Sequence, residues 1–110
     1  MSKGDFLGEF EQLVLLAVIR LDDGGYGMSI RREIEAQTER EVTIGAVYAT
    51  LERLERKGYL RSCEGDSTPA RGGRSRRHFG LTPEGGQALR TSHGILANMW
   101  DGIEPASLGG

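Results

Sequence analysis

The spacing of apolar residues changes at Gly58, and this change limits the folds that the chain can adopt. Ahead of Gly58, apolar residues recur at i, i+3 and i+4 in three stretches, which is the spacing of one helix face. Thr43 is suited to cap the start of the third stretch, and Gly58 suits the left-handed conformation that ends many helices. These patterns predict helices over residues 7–21, 28–38 and 44–57.

Beyond this point the pattern is typical of short strands. Residues 59–63 and 76–81 are short runs of strand-forming residues, and the segment between them is rich in Gly, Pro, Ser and Arg. Two strands joined by a loop explain this pattern most simply. Thr82-Pro83 is a favourable helix start and predicts a fourth helix that continues to about Ile103.

Three helices, a hairpin and a final helix predict a mainly α fold with a small β-hairpin. This order is that of a winged helix-turn-helix with an added C-terminal helix. We expect residues 1–82 to form the winged helix-turn-helix domain and residues 83–104 to form a dimerisation helix in the same compact unit. Residues 105–110 are expected to be a disordered tail.

The composition is that of one small domain with a modest core. Of the 110 residues, 37% are hydrophobic, which suggests that a partner covers part of the apolar surface. The single cysteine, Cys63, cannot form an intrachain disulfide and suits a reducing compartment. The first residues lack the apolar core of a signal peptide, and no stretch approaches the roughly 18 apolar residues of a membrane span. We therefore expect a soluble cytoplasmic protein.

Charge is distributed unevenly along the chain, although the formal net charge is only −2. Residues 40–78 contain nine basic and five acidic residues, so the rest of the chain is acidic. The net charge alone argues against nucleic acid as a partner. An uneven distribution can nevertheless present one basic face to a polyanion.

The third predicted helix has an apolar stripe on one side and small residues on the other. A helix with small side chains can enter the major groove, and its first N–H groups can bind a phosphate oxygen. A tyrosine and an arginine further along could bind phosphate or guanine. The predicted DNA-contacting residues of this helix are Thr43, Gly45, Ala46, Tyr48, Ala49, Thr50 and Arg53. Two alternatives stay open: the small face could pack another helix, and Arg53 and Arg56 could simply pair with Glu52 and Glu55.

The predicted loop adds a cluster of arginines that no nearby acid neutralises. Glycine-flanked arginines can follow a sugar–phosphate backbone or enter a narrow minor groove. In isolation such a cluster would be explained as a solvated turn, but its place after the third helix favours a DNA-contacting wing. The predicted wing residues are Arg71, Arg74, Arg76 and Arg77.

Several segments resemble a known family. The sequences YGMSI at 26–30 and TIGAVYATLERLERKGYL at 43–60 are similar to the PadR family of bacterial transcriptional regulators, and the similarity covers about residues 9–89. The resemblance implies a winged-helix domain, a C-terminal dimerisation helix, and binding to palindromic operators, usually as a repressor. It also implies that Tyr48 and the basic wing residues contact phosphates in a protein of the bacterial cytoplasm.

The chain departs from the family pattern at two points. His78-Phe79 stands where the family usually has two tyrosines, which puts in doubt a phosphate contact at His78. The single C-terminal helix resembles the short branch of the family, in which a separate effector domain is absent.

The last predicted helix has apolar residues at seven-residue spacing, which is typical of a seam between helices. The first helix is apolar nearly all round and needs cover on two sides. We therefore expect a homodimer, with a core helix of a monomer as the alternative. The predicted interface residues are Phe10, Leu15, Ile19, Leu89, Leu96, Met99, Trp100 and Ile103. Trp100 is also a candidate contact for a small aromatic effector.

No arrangement of residues in the sequence points to catalysis or to a cofactor. Cys63, His78 and His93 lack the spacing of metal ligands, so no metal site is predicted. The predicted function is sequence-specific binding of double-stranded DNA by a homodimeric transcriptional regulator, usually a repressor. A winged-helix module that binds another protein is the alternative.

Overall fold

The computed structural model describes residues 6–22, 25–64 and 77–109. Within these ranges the elements follow the predicted order, and the prediction of a mainly α fold with a β-hairpin is confirmed. The helices are α1 (Glu9–Leu21), α2 (Gly27–Thr38), α3 (Ile44–Arg56) and α4 (Pro83–Trp100), and the strands are β1 (Leu60–Glu64) and β2 (Arg77–Leu81).

Threonine hydroxyls cap the starts of α3 and α4, and a left-handed glycine follows the end of α3, as the sequence predicts. At the start of α3, the Thr43 hydroxyl accepts a hydrogen bond from the Ala46 N–H at 3.1 Å. Gly58, just beyond α3, has a φ of +83°, which a residue with a side chain rarely adopts. The Thr82 hydroxyl accepts from the Gly85 N–H at 3.0 Å and donates to the Gly58 carbonyl oxygen at 2.7 Å. Thr82 therefore joins the start of α4 to the turn that follows α3.

The core lies between the first three helices and the hairpin. Each of these elements contributes at least one buried apolar side chain, and burial of each stabilises the fold by about 1.5–3 kcal/mol. The principal core residues are Val14, Leu15, Val18, Ile30, Ile34, Val47, Leu51, Leu54, Leu60 and Phe79. The apolar stripe predicted for the third helix therefore faces this core.

The position of α1 corrects one predicted interface residue. Leu15 is fully buried inside its own chain, because α1 contacts α2, α3, β2 and α4. Leu15 therefore cannot contact a second subunit. The apolar side chains that α1 leaves exposed are Leu16 and Ile19, so Leu16, which the sequence did not single out, lies where Leu15 was expected.

The hairpin is tied to the chain just ahead of α2. The Phe79 N–H donates to the Gly25 carbonyl oxygen at 2.9 Å. Tyr26 forms an isolated bridge with His78, and their rings stack with centroids 6.0 Å apart. These contacts fix the hairpin relative to the start of α2.

The N-terminal part of α4 packs on the core, while its C-terminal part is exposed. Gly85 is buried against Tyr59, and a Cβ at this position would overlap the Tyr59 carbonyl oxygen. Residues 95–100 are exposed. A 3₁₀ helix (Pro105–Leu108) follows, where the sequence predicts a disordered tail. The far end of α4 therefore carries apolar side chains that the described part of the chain does not cover.

Candidate nucleic-acid interface

The outer side of α3 is nearly free of side chains over its first turns. Gly45, Ala46 and Ala49 are exposed. A Cβ placed on Gly45 would meet no atom of the described chain within 4 Å. The small face therefore does not pack another helix within the described ranges, which was the alternative interpretation. A surface of this kind allows the backbone to come close to base edges in a major groove.

Two polar side chains flank this surface. Thr43 is exposed at the start of α3. Tyr48 is 44% exposed, and its ring packs so closely on Gly27, the first residue of α2, that a Cβ there would overlap the ring. The Tyr48 hydroxyl consequently lies beside the start of α2, where backbone N–H groups favour an anion.

Thr50 corrects the predicted set of DNA contacts. Its side chain is only 4% exposed. The residue lies three positions after Val47 and four before Leu54, and both of those side chains are fully buried. Thr50 therefore lies on the packed side of α3, out of reach of a ligand on the outer side.

Arg53 pairs with an acid of another helix and not with its neighbours on α3. Its Nε donates to Oε2 of Glu11, on α1, at 2.9 Å. The Nζ of Lys57 donates to the same oxygen at 2.9 Å. The other carboxylate oxygen of Glu11 accepts from the Gly8 N–H at 2.9 Å, which caps the start of α1. One carboxylate thus holds a cation of α3, the cation that follows α3, and the backbone donor that precedes α1.

These contacts change the acidity of Glu11. Burial alone would raise the pKa of its carboxyl. Hydrogen bonds from Lys57, the Gly8 N–H and Arg53 more than offset burial and hold the pKa below its ordinary value of 4.5. Glu11 is therefore an anion near neutral pH.

Arg77 is the one predicted wing residue that lies within the described ranges. Its Nη2 donates to Glu55 at 2.8 Å and to the Ser62 hydroxyl at 3.0 Å. Its guanidinium carbon also lies 5.5 Å from the centre of the Phe79 ring. Arg77, the first residue of β2, therefore connects the hairpin to the last turn of α3. The other three predicted wing residues, Arg71, Arg74 and Arg76, lie outside the described residues.

Arg56 differs from Arg53, although both are exposed on α3. No ion pair within the described ranges includes Arg56. Of the two arginines on α3, Arg53 is therefore anchored by a buried acid, whereas Arg56 is exposed without such an anchor among the described residues.

Glu11, Glu55 and Lys57 belong to this site, although the sequence analysis did not assign them to it. Their partners are up to 46 residues away, so no local spacing indicates the pairs. One local signal exists: an acid three residues after Gly8 matches the second half of a capping box, which places Glu11 in the first turn of a helix but does not indicate its partners on the far side of the fold.

A second surface, on α1 and α4, is apolar and exposed. Leu16 and Ile19 of α1 face a cleft of about 410 Å³, which Leu89 and His93 of α4 also line. Phe10 and Leu89 are only partly exposed, because they pack against the core. The exposed large apolar residues of α4 and the segment after it are Ile95, Leu96, Met99, Trp100, Ile103 and Leu108. Of these, Ile95 and Leu108 were not predicted as interface residues.

The described part of the chain carries neither a metal-ligand cluster nor a membrane-spanning helix. No cluster of three or more potential metal ligands occurs there. None of the helices in those ranges has the length and apolar character needed to cross a bilayer.

Comparisons with known proteins agree with this architecture. The family model described as transcriptional regulator PadR-like matches residues 15–91. RosR of H. salinarum superposes with a TM-score of 0.70 and 26% identity, covering 89% of this chain and 81% of RosR. A PadR-like transcriptional regulator from Bacillus cereus superposes with a TM-score of 0.71 and 16% identity, covering 92% of this chain and 93% of that one.

The same fold occurs in a further DNA-binding protein. F93 from STIV, a winged-helix DNA-binding protein, superposes with a TM-score of 0.67 and 15% identity, covering 86% of this chain and 94% of F93. A comparison with curated protein sequences gives no significant match. The predicted winged-helix fold is confirmed. Because the family model matches well over half of the chain, this protein belongs to the PadR-like family of transcriptional regulators.

Proposed function

We propose that this protein is a homodimeric, cytoplasmic repressor that binds a palindromic operator. In this proposal α3 enters the major groove, and the arginine-rich wing contacts the sugar–phosphate backbone or the minor groove. Two α3 helices related by a two-fold axis would then occupy grooves one helical turn apart, about 34 Å.

The observation that carries the proposal is the bare outer side of α3. Gly45, Ala46 and Ala49 leave the first turns open. Thr43 and Tyr48 stand at the edges of this surface, and hydroxyl groups are common donors to phosphate oxygens. The hairpin follows α3 directly, and Arg77 of β2 contacts Glu55 in the last turn of α3, so a wing would extend from the C-terminal end of this helix.

The apolar surface on α1 and α4 supports the proposed dimer. Met99 is 73% exposed, and Leu96, Trp100 and Ile103 are close to half exposed. Such a group of large apolar side chains favours association with another apolar surface. A second copy offers the same side chains in a two-fold arrangement, which is the commonest symmetry of soluble oligomers. A small aromatic effector would find a stacking partner in Trp100.

DNA binding can be tested by fluorescence anisotropy with duplexes from the region upstream of the protein's own gene. Affinity should fall steeply as salt rises, because phosphate contacts release counterions. Arg74→Ala and Arg76→Ala should each weaken binding several-fold, whereas Arg20→Ala, which removes an exposed ion pair with Glu33, should change it little. Unchanged affinity in both wing variants would remove the wing from the mechanism.

Two further outcomes separate the alternatives. If a duplex is bound and a reporter gene behind it becomes more active when the protein is absent, repression is supported. If no duplex is bound at any salt concentration, the proposal fails and the alternative, a module that binds another protein, is favoured. Such a module has no need of the arginine cluster.

A further inference from the structure

Arg53 is held at one nitrogen and leaves its other two nitrogens available. Its Nε donates to Glu11 at 2.9 Å, and no hydrogen bond to its two terminal amino groups occurs within the described ranges. The Arg53 side chain is 44% exposed, whereas that of Glu11 is 7% exposed. The pair therefore has a buried end, which is the carboxylate, and an open end, which is the remainder of the guanidinium.

The carboxylate itself has little freedom to move. Its Oε1 accepts from the Gly8 N–H, and its Oε2 accepts from both Arg53 and Lys57. These contacts tie Glu11 to the residue that precedes α1, to the last turn of α3 and to the residue that follows α3. A guanidinium anchored on such a group loses less conformational freedom on binding than a free one.

We propose that Glu11 is a positioning residue, which holds Arg53 so that its terminal amino groups bind a guanine in each operator half-site. This inference rests on the proposed function, since it requires α3 to lie in a major groove. Guanine is the expected base because its O6 and N7 acceptors match two parallel donors of arginine. The neighbour of Arg53 one turn earlier is the exposed Ala49, whose methyl group leaves the approach open.

Arg56 provides the contrast that makes the proposal specific. It is the same residue type on the same helix, it is exposed, and no ion pair of the described chain holds it. An unanchored arginine can follow a phosphate but has no fixed direction toward a base edge. Arg56 is therefore expected to contribute affinity without base preference.

The experiment is a selection of binding sites from a random duplex library, carried out with the full chain. The native protein, Arg53→Ala, Glu11→Gln and Arg56→Ala are compared, and circular dichroism verifies that each is folded at the selection temperature. Glutamine keeps an oxygen for the Gly8 N–H, but it no longer offers Arg53 a charged acceptor. Glu33→Gln serves as a second control, because it breaks an exposed ion pair with Arg20 and leaves the contact between Arg53 and Glu11 in place.

The native protein should select a two-fold symmetric site with guanine at one fixed position in each half. Arg53→Ala should lower the preference for that guanine by about ten- to a hundredfold per half-site. Glu11→Gln should lower it by about two- to tenfold, the cost of ordering a free arginine on binding. Arg56→Ala should select the same site. The slope of log K against log salt concentration should become shallower by about 0.9 for each phosphate contact that is lost. Glu33→Gln should also retain the guanine preference.

Three results would overturn the inference. If Arg53→Ala keeps the native site, Arg53 does not bind a base. If Arg53→Ala loses the guanine and Glu11→Gln keeps it fully, Glu11 does not position Arg53. If the native protein enriches no site at all, the proposed function fails, and the inference fails with it.

Discussion

Replacing Glu11 with glutamine should lower the free energy of unfolding near neutral pH and should leave it unchanged in acid. The folded state lowers the pKa of this carboxyl below 4.5, so its contribution to stability is complete above that pH. The contribution disappears as the pH falls through the folded-state pKa, because the protonated carboxyl then resembles the glutamine amide. The difference between the two proteins should therefore close on the acid side of pH 4.5.

The size of the effect follows from the partners of Glu11. Glutamine retains the cap on Gly8, so the loss is confined to the contacts with Arg53 and Lys57. Hydrogen bonds to a buried charge contribute about 1.5–3 kcal/mol each, but these two cations are partly exposed. Each is therefore expected to contribute about 0.5–1 kcal/mol. The total of about 1–2 kcal/mol should lower the melting temperature by about 4–10 °C in a chain of this size.

Urea unfolding followed by far-UV circular dichroism, between pH 7 and pH 2.5, measures this difference. The protein concentration is kept constant, because a dimer gains stability with concentration. Glu33→Gln is the matched control: it breaks an exposed ion pair with Arg20 and should cost at most about 0.5 kcal/mol. If the difference in free energy of unfolding between the native protein and Glu11→Gln stays constant down to pH 2.5, the charge of Glu11 is not the cause of that difference.

Three further perturbations test other parts of the structure. Gly85→Ala should destabilise the fold by about 2–3 kcal/mol in thermal unfolding, because the new Cβ overlaps the Tyr59 carbonyl oxygen. Gly86→Ala, which makes only ordinary contacts, should be neutral or stabilising by up to about 1 kcal/mol, and equal effects of the two would refute the argument. Thr43→Ala should cost about 1 kcal/mol in urea unfolding through loss of the α3 cap, and an unchanged midpoint would contradict this. Trp100→Ala should weaken dimerisation, as measured by sedimentation velocity. If the native protein is already a monomer at micromolar concentration, this expectation is wrong.

The features that were predicted correctly depend on residues close together in the chain. Thr43, Gly58 and Thr82-Pro83 each act within one turn of helix, and each lies where the local pattern indicates. The inward stripe of α3 likewise follows from helical spacing alone. Such features need no knowledge of how distant segments meet.

The features that were missed depend on how distant segments meet. α1 is apolar nearly all round, so periodicity could not decide whether Leu15 or Leu16 faces the core. Helical spacing places Thr50 at the edge of the outer side of α3, and the packing of neighbouring elements decides that it is buried. The pairing of Arg53 with Glu11 spans 42 residues, and charge counts along the chain give no indication of it.

The single hydroxyl of Thr82 has a mechanical consequence. It both starts α4 and binds the carbonyl of Gly58 at the end of α3, while the Thr82 N–H donates to the neighbouring Tyr59 carbonyl at 3.1 Å. If two subunits associate through α4, the angle between α3 and α4 at Thr82 determines the distance between the two α3 helices of the dimer. The number of base pairs that can be inserted at the centre of the operator without loss of binding would then depend on how rigidly Thr82 holds α4 against the end of α3.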